Sequence, residues 1–185
     1  MDGRTNAFLD ALHAADAAPE RGQAMDLYAW LIGSWDLEVV EFLADGSQRK
    51  RPGEWHFDWV LEGRAIQDVW IVPPRGARHG DAVANSNRYG TTLRVYDPRM
   101  EAWHIQWTDP VSQTYLSMIG RKDGDAIVQI GRNADGHMVR WSFSEITAAS
   151  FLWRGEVSAD EGRSWRTVVE FTARRRDAGA ATQAR

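Results

Sequence analysis

The chain has 185 residues, 43% of them apolar and 26% charged, with a formal net charge of −4. That is the balance of one folded domain, not of a disordered or membrane-spanning chain. Cys is absent, which excludes disulfides, thiolate nucleophiles and sulfur-ligated metals, and the slight acid excess argues against a nucleic-acid surface.

In chain order, residues 5–17 carry Phe8, Leu9 and Leu12 on one helical face, with Pro19 closing the segment. A second short helix is predicted over 24–32, where Leu27, Trp30 and Leu31 share a face before Gly33. From Gly33 onward the pattern has period 2. Trp35, Leu37 and Val39 alternate with polar residues, as do Trp55, Phe57 and Trp59, then Trp103, Ile105 and Trp107, then Val139, Trp141 and Phe143, then Phe151 and Trp153. Such alternation marks antiparallel strands with one dry and one wet face. Turn pairs such as Asp45-Gly46, Asp97-Pro98, Asp123-Gly124 and Asp135-Gly136 separate them. The predicted strands are 34–43, 47–61, 64–72, 89–96, 101–108, 113–121, 126–132, 137–145, 150–158 and 165–174.

Successive hairpins without long crossovers favour an all-β, antiparallel up-and-down barrel of nine or ten strands over a sandwich, because closure removes exposed edges. One or two N-terminal helices would cap an end. The expected layout is a helical extension over 1–24, a barrel over 25–174 and a disordered tail over 175–185. Residues 73–88 form a long loop, read either as a lid or as a plain connector. Arg49-Lys50-Arg51 reads as a solvated strand edge. No stretch approaches the roughly 20 apolar residues that span a bilayer, and the N-terminus lacks the basic-then-apolar order of a secretory signal, so the cytoplasm is the default expectation.

Several segments keep a recognisable order: Leu31-Ile32-Gly33-Ser34-Trp35, Gly53-Glu54-Trp55, Leu61-Glu62-Gly63-Arg64, Tyr89-Gly90-Thr91-Thr92-Leu93-Arg94, Tyr96-Asp97-Pro98 and Trp103-His104-Ile105-Gln106-Trp107-Thr108-Asp109. Over residues 25–173 they resemble the bacterial calycin-like (lipocalin-like) proteins of unknown function. The resemblance implies a closed antiparallel barrel with an internal cavity, and no particular reaction, since calycins include carriers and enzymes. The haem-binding nitrobindin branch of that superfamily also begins with a Leu-Gly-x-Trp segment and ligates iron through a histidine near its C-terminus. Here the last histidine is His137, with strands still to follow, so that ligand has no counterpart and no cofactor or metal is expected. Ser158-Ala159-Asp160-Glu161-Gly162-Arg163-Ser164-Trp165 matches the Asp-box hairpin known from sialidase propellers, read here as a structural turn.

Ten tryptophans decide the expected interior, because each buried aromatic removes about 150–250 Å² from water. Trp55, Trp59, Trp70, Trp103, Trp107, Trp141 and Trp153 are placed on inward faces. A cavity is expected in preference to a filled core. Tyr115 and Gln129 are taken as further lining residues, and Arg64 and Arg94 as groups that could neutralise an acidic ligand at the barrel mouth or, alternatively, face solvent. Asp68 and Asp109 share the inward parity and are candidate acid–base groups; the bland readings are a pair with Arg64 or Arg94 for Asp68, and a turn cap before Pro110 for Asp109. His56 and His104 fall on the opposite parity and join the catalytic candidates only if the register is inverted.

The preferred function is binding of a small apolar or aromatic molecule inside the barrel. The alternative is a cofactor-free lyase, isomerase or cyclase using acid–base chemistry in the same cavity, and a third reading is a packed barrel engaged in homodimerisation or protein binding.

Overall fold

The computed structural model describes residues 6–77 and 87–176. Ten antiparallel strands close into a barrel in sequence order: β1 Gly33–Phe42, β2 Gln48–Val60, β3 Ala65–Val72, β4 Arg88–Asp97, β5 Ala102–Asp109, β6 Thr114–Asp123, β7 Ala126–Arg132, β8 Met138–Ser144, β9 Ser150–Ser158 and β10 Arg166–Arg175. β1 pairs with both β2 and β10, which closes the ring. The period-2 reading therefore becomes a closed sheet with each predicted strand present. The Trp-bearing faces point inward, as the burial of Trp35, Trp55, Trp103, Trp107, Trp141 and Trp153 requires, because leaving them wet would forgo about 25 cal/mol per Å² of apolar area.

The N-terminal segment departs from the sequence reading. Helix α1 spans only Ala7–Leu12, with the Asn6 side chain accepting from Phe8 N, and buries none of its residues. The chain then turns extended because its backbone finds a partner in the β2–β3 hairpin: Leu61 N donates to Leu12 O, Ala14 N to Trp59 O and Ala18 N to Gly63 O, each at 2.9 Å. That pairing overrides the helix propensity of the alanines. Gly63 has a φ of +74°, and a Cβ there would lie 2.2 Å from Asp16 O, so only glycine lets the two segments meet. Pro19 opens a 3-10 segment (Pro19–Met25) instead of ending a helix, consistent with its fitness for a first-turn position. Helix α2 (Asp26–Ala29) follows.

Tyr28 and Leu31, both fully buried, drive α2 and the residues after it into one end of the barrel as a plug. Tyr28 meets Trp103 edge-on at 4.9 Å and its hydroxyl accepts from Gln129 Nε2 at 2.9 Å. Arg175, expected in a disordered tail, is the last residue of β10 and fastens this plug. It donates to Trp30 O at 2.6 Å, Ile32 O at 2.8 Å and Ala148 O at 2.8 Å, and its guanidinium lies 4.1 Å from the Trp35 ring centroid. The central part of the expected loop over 73–88 and most of the expected tail lie outside the described residues. Among the described residues no helix is long and apolar enough to cross a membrane.

Candidate functional site

Alternation puts one side chain per two residues into the barrel, and in the middle layer nearly all of these are aromatic. Trp153 stacks on Phe171 at 4.4 Å, Trp70 meets Trp107 at 5.1 Å, and Trp141 meets Trp153 edge-on at 5.3 Å. The expected cavity is thus largely replaced by rings in mutual contact. Edge-on and offset packing explains how so many flat groups fill the space.

Within this packing, Trp55, Trp70 and Trp153 form a triangle with centroid separations of 6.1, 5.9 and 6.1 Å. The indole N–H of each is buried and has no hydrogen-bond partner in the protein. Below the triangle, toward the plug, lies Arg94, wholly inaccessible together with Asp68. Arg94 Nη1 donates to Asp68 Oδ2, and Asp68 Oδ1 also accepts from Thr92 N at 3.1 Å. The remaining Arg94 donors, Nε and Nη2, are buried without a partner, and together they are the side-on fork of the guanidinium, the edge that matches a planar acceptor. Phe57, Tyr28 and Phe143 surround the guanidinium with centroids at 5.4, 5.5 and 6.0 Å. Gln129 Oε1 and Thr92 Oγ1 are also unpartnered, so the interior presents more free donors than acceptors.

The opposite end of the barrel is the mouth, where a recess of about 130 Å³ opens onto Trp70. Val39, Val72 and Val169 wall it, and Glu41, Arg51 and Arg88 reach it from inward positions of their strands. Glu41 accepts from Arg49 Nε at 2.7 Å and from Arg51 Nη2 at 2.9 Å. The basic run pairs with β1 alone, since the β2–β3 ladder begins at Glu54; Lys50 is exposed there, while Arg49 and Arg51 grip a carboxylate at the rim. A broader hollow of about 540 Å³ lies at the plugged end between α2 and β4–β7, lined by Leu27, Trp30, Tyr96 and Trp103 with surface charges of both signs around it.

The site residues expected from the sequence divide as follows. Trp55, Trp59, Trp70, Trp103, Trp107, Trp141, Trp153 and Gln129 are buried in the interior. Arg94 is neither at the mouth nor in solvent but buried at the centre. Arg64 sits on the surface, paired with Glu20 at 2.8 Å and with Glu62, on the β2–β3 hairpin at the plugged end and so away from the mouth. Tyr115 is 59% exposed and faces outward, because β6 turns Leu116, Met118 and Gly120 inward.

The four catalytic candidates are not brought together. Asp68 is the partner of Arg94. Asp109 caps its own turn, accepting from Val111 N at 2.9 Å, Ser112 N at 3.4 Å and Ser112 Oγ at 2.7 Å. His104 is on the outer face, 3.5 Å from Asp97. His56 is also on the outer face, between Ser34 and Glu54. Among the described residues no three His, Asp or Glu side chains gather as a metal-binding group. Tyr28 escaped the sequence reading altogether, since only its place on the plug brings it to Arg94 and Gln129; burial pushes its hydroxyl up to about 12.

No family model matches the chain, and no curated protein matches it in sequence. Solved structures do. Rv2717c from M. tuberculosis aligns over 88% of this chain and 100% of its own, with a TM-score of 0.61 and 16% identity. The S-type phycobiliprotein lyase CPES from Guillardia theta aligns over 83% of this chain and 92% of its own, with a TM-score of 0.54 and 13% identity. What these structures share with the chain is the closed antiparallel barrel. At these identities the likeness extends to the barrel and not to a reaction.

Proposed function

We propose that the barrel binds a small, flat, apolar or aromatic molecule at the tryptophan cluster, admitted through the recess above Trp70. The observation that carries this reading is the set of unpartnered donors buried among the rings: the indole N–H groups of Trp55, Trp70 and Trp153 and the side-on fork of Arg94. A buried donor left unpaired costs about 1–3 kcal/mol, so a molecule that offers acceptors to several of them gains more than an apolar one of the same shape. Arg94 is already neutralised by Asp68, and a ligand anion would leave a net charge in the aromatic layer, which is costly. The ligand class favoured is therefore a neutral aromatic bearing carbonyl-type acceptors. The recess is smaller than the 300–1,000 Å³ usual for ligand pockets, so entry requires Trp70 to turn aside.

The acid–base alternative draws less support. Its inward carboxylates are both engaged, Asp68 by Arg94 and Thr92 and Asp109 by its turn.

Calorimetric titration with naphthalene, 2-acetylnaphthalene and 2-naphthoate tests the reading. Saturable one-to-one binding is expected, tightest for the acetyl compound, with Trp70→Phe weakening that compound several-fold and leaving naphthalene unchanged. Absence of saturable binding by all three overturns it.

A further inference from the structure

A second polar constellation lies on the outer face of the barrel, and its three residues are distinct from those of the tryptophan cluster. Ser34, at the start of β1, stands directly opposite His56 of β2 in the strand register, and His56 stands opposite Val69 of β3. On a sheet, directly opposed side chains sit close enough to bond. Here Ser34 Oγ is 2.8 Å from His56 Nδ1, and His56 Nε2 is 3.2 Å from Glu54 Oε2, two residues back on the same strand and face.

Glu54 is itself held. Arg75 donates to its Oε1 from both the backbone N and Nε, each at 2.8 Å, and Arg176 Nη1 lies 3.6 Å from Oε2. Arg75 Nη2 also lies 3.3 Å from His56 Nε2, but a guanidinium only donates, so this contact belongs to the other tautomer and competes with the closer Glu54 Oε2 for that nitrogen. Burial alone would push Glu54 up, but the hydrogen bonds from Arg75 and His56 outweigh it and hold the carboxyl down at about 2. An ionised carboxylate beside Nε2 favours the tautomer with its proton there, which leaves the Nδ1 lone pair for the Ser34 hydroxyl proton. Nucleophile, base and orienting acid are then in the relation that activates a serine, with the two ring nitrogens exchanged relative to the chymotrypsin arrangement.

Beside the three residues runs a groove of about 410 Å³, with Leu12, Ile32, Val60 and Val69 as apolar walls and Ser34 and His56 on its surface. The N-terminal segment contributes Leu12 because its backbone is tied to the β2–β3 hairpin.

We infer that Ser34, His56 and Glu54 form a nucleophilic acyl-transfer site on the outer face of the barrel, acting on esters of small apolar carboxylic acids held in this groove. Ser34 Oγ attacks the ester carbonyl carbon as its proton passes to His56 Nδ1. The carbon–oxygen bond to the alcohol breaks, and the leaving alkoxide takes that proton. Water, deprotonated by His56, then cleaves the acyl-Ser34 ester and returns the serine its proton, so that ester and water become acid and alcohol. Ser34 and His56 are the catalytic residues, and Glu54 is a positioning residue that acts through the imidazole.

The test is covalent labelling of the full chain with an alkyl fluorophosphonate, in which the serine oxygen displaces fluoride from phosphorus, followed by peptide mass spectrometry. A phosphonyl group is expected on the peptide carrying Ser34, absent in Ser34→Ala and formed at least tenfold more slowly in His56→Gln, with both variants retaining the wild-type circular dichroism spectrum. For p-nitrophenyl butyrate, Glu54→Gln is expected to lower kcat with KM unchanged. The inference is overturned by an unlabelled wild-type chain, by label on any other residue alone, or by equal labelling rates in wild type and His56→Gln, which would make Ser34 an ordinary surface hydroxyl.

Discussion

Arg94 and Asp68 form an ion pair with no solvent exposure at either side chain, on inward positions of β4 and β3 that are diagonal in the register, Asp68 standing opposite Thr92 and Arg94 opposite Ile66. Taking two charges out of water is expensive, and their attraction repays the cost only while both are present. Asp68→Ala leaves the guanidinium alone among Phe57, Tyr28 and Phe143. It is expected to lower stability by about 3–5 kcal/mol, the range for breaking one half of a buried pair. The double variant Arg94→Met, Asp68→Leu removes the uncompensated charge and is expected to recover most of that loss. Urea denaturation of the three proteins measures both effects, and a double variant no more stable than Asp68→Ala contradicts the account.

Arg175 gives a prediction about the plug. Its three bonds to carbonyls of Trp30, Ile32 and Ala148, together with its position over Trp35, tie β10 to the segment between α2 and β1. Hydrogen bonds to a charged group contribute about 1.5–3 kcal/mol, and these share one guanidinium. Arg175→Ala is expected to cost about 2–4 kcal/mol. Hydrogen exchange is the sharper readout: protection should fall at Leu31 and Ile32, whose N–H groups bond to Tyr28 O and Ala29 O, before it falls in β5 or β6.

How much of this was legible in the sequence depends on which way each strand's alternation points. In β8, and in β5 as far as Thr108, the tryptophans and the polar residues fall on opposite parities, so strand, face and burial follow together. In β4 the pattern misleads: Leu93 and Val95 lie on the outward parity, half-buried, while Thr92 and Arg94 are buried inside. Charge at an inward position is tolerated only because Asp68 lies beside it, a relation set by β3–β4 register that local sequence does not carry. β6 is ambiguous for the same reason, since Tyr115 and Ile119 compete with Leu116 and Met118 for the interior. The Ser158–Trp165 turn, by contrast, was readable in full. Asp160 accepts from Ser158 Oγ, Ser164 N and Ser164 Oγ at 2.7, 2.9 and 2.6 Å, and Gly162 takes φ +82°, all within one local stretch. Ser34, His56 and Glu54 come from two strands, and only their pairing brings them together.

Glu54 predicts an acid response. Its folded carboxyl is held at about 2 against an ordinary 4.5, so the unfolded state binds the proton first as pH falls. The stabilisation is fully present above about pH 4.5 and is lost as pH drops toward 2. Thermal unfolding between pH 5 and pH 2 should show Tm falling less steeply in Glu54→Gln than in wild type. Release of Arg75 should accompany the fall in wild type, measurable as faster proteolysis at that arginine. Parallel curves in the two proteins would contradict the assignment.

Tyr28 predicts the alkaline response with the opposite ordering. Burial favours its neutral hydroxyl and pushes it up to about 12 from an ordinary 10, so above pH 10 the unfolded chain releases this proton while the folded one keeps it. Fewer protons bound in the unfolded state means that stability falls as pH rises from 10 toward 12. Tyr28→Phe keeps the edge-on contact with Trp103 and deletes the hydroxyl, at a cost of about 1–3 kcal/mol for leaving Gln129 Nε2 unpaired. Denaturation midpoints compared at pH 8 and pH 11 should therefore differ less in Tyr28→Phe than in wild type. While the protein is folded, wild type and Tyr28→Phe should gain the same tyrosinate absorbance as the pH is raised, because Tyr28 keeps its proton. If folded wild type gains more than Tyr28→Phe, the plug is open to solvent and Tyr28 does not seal it.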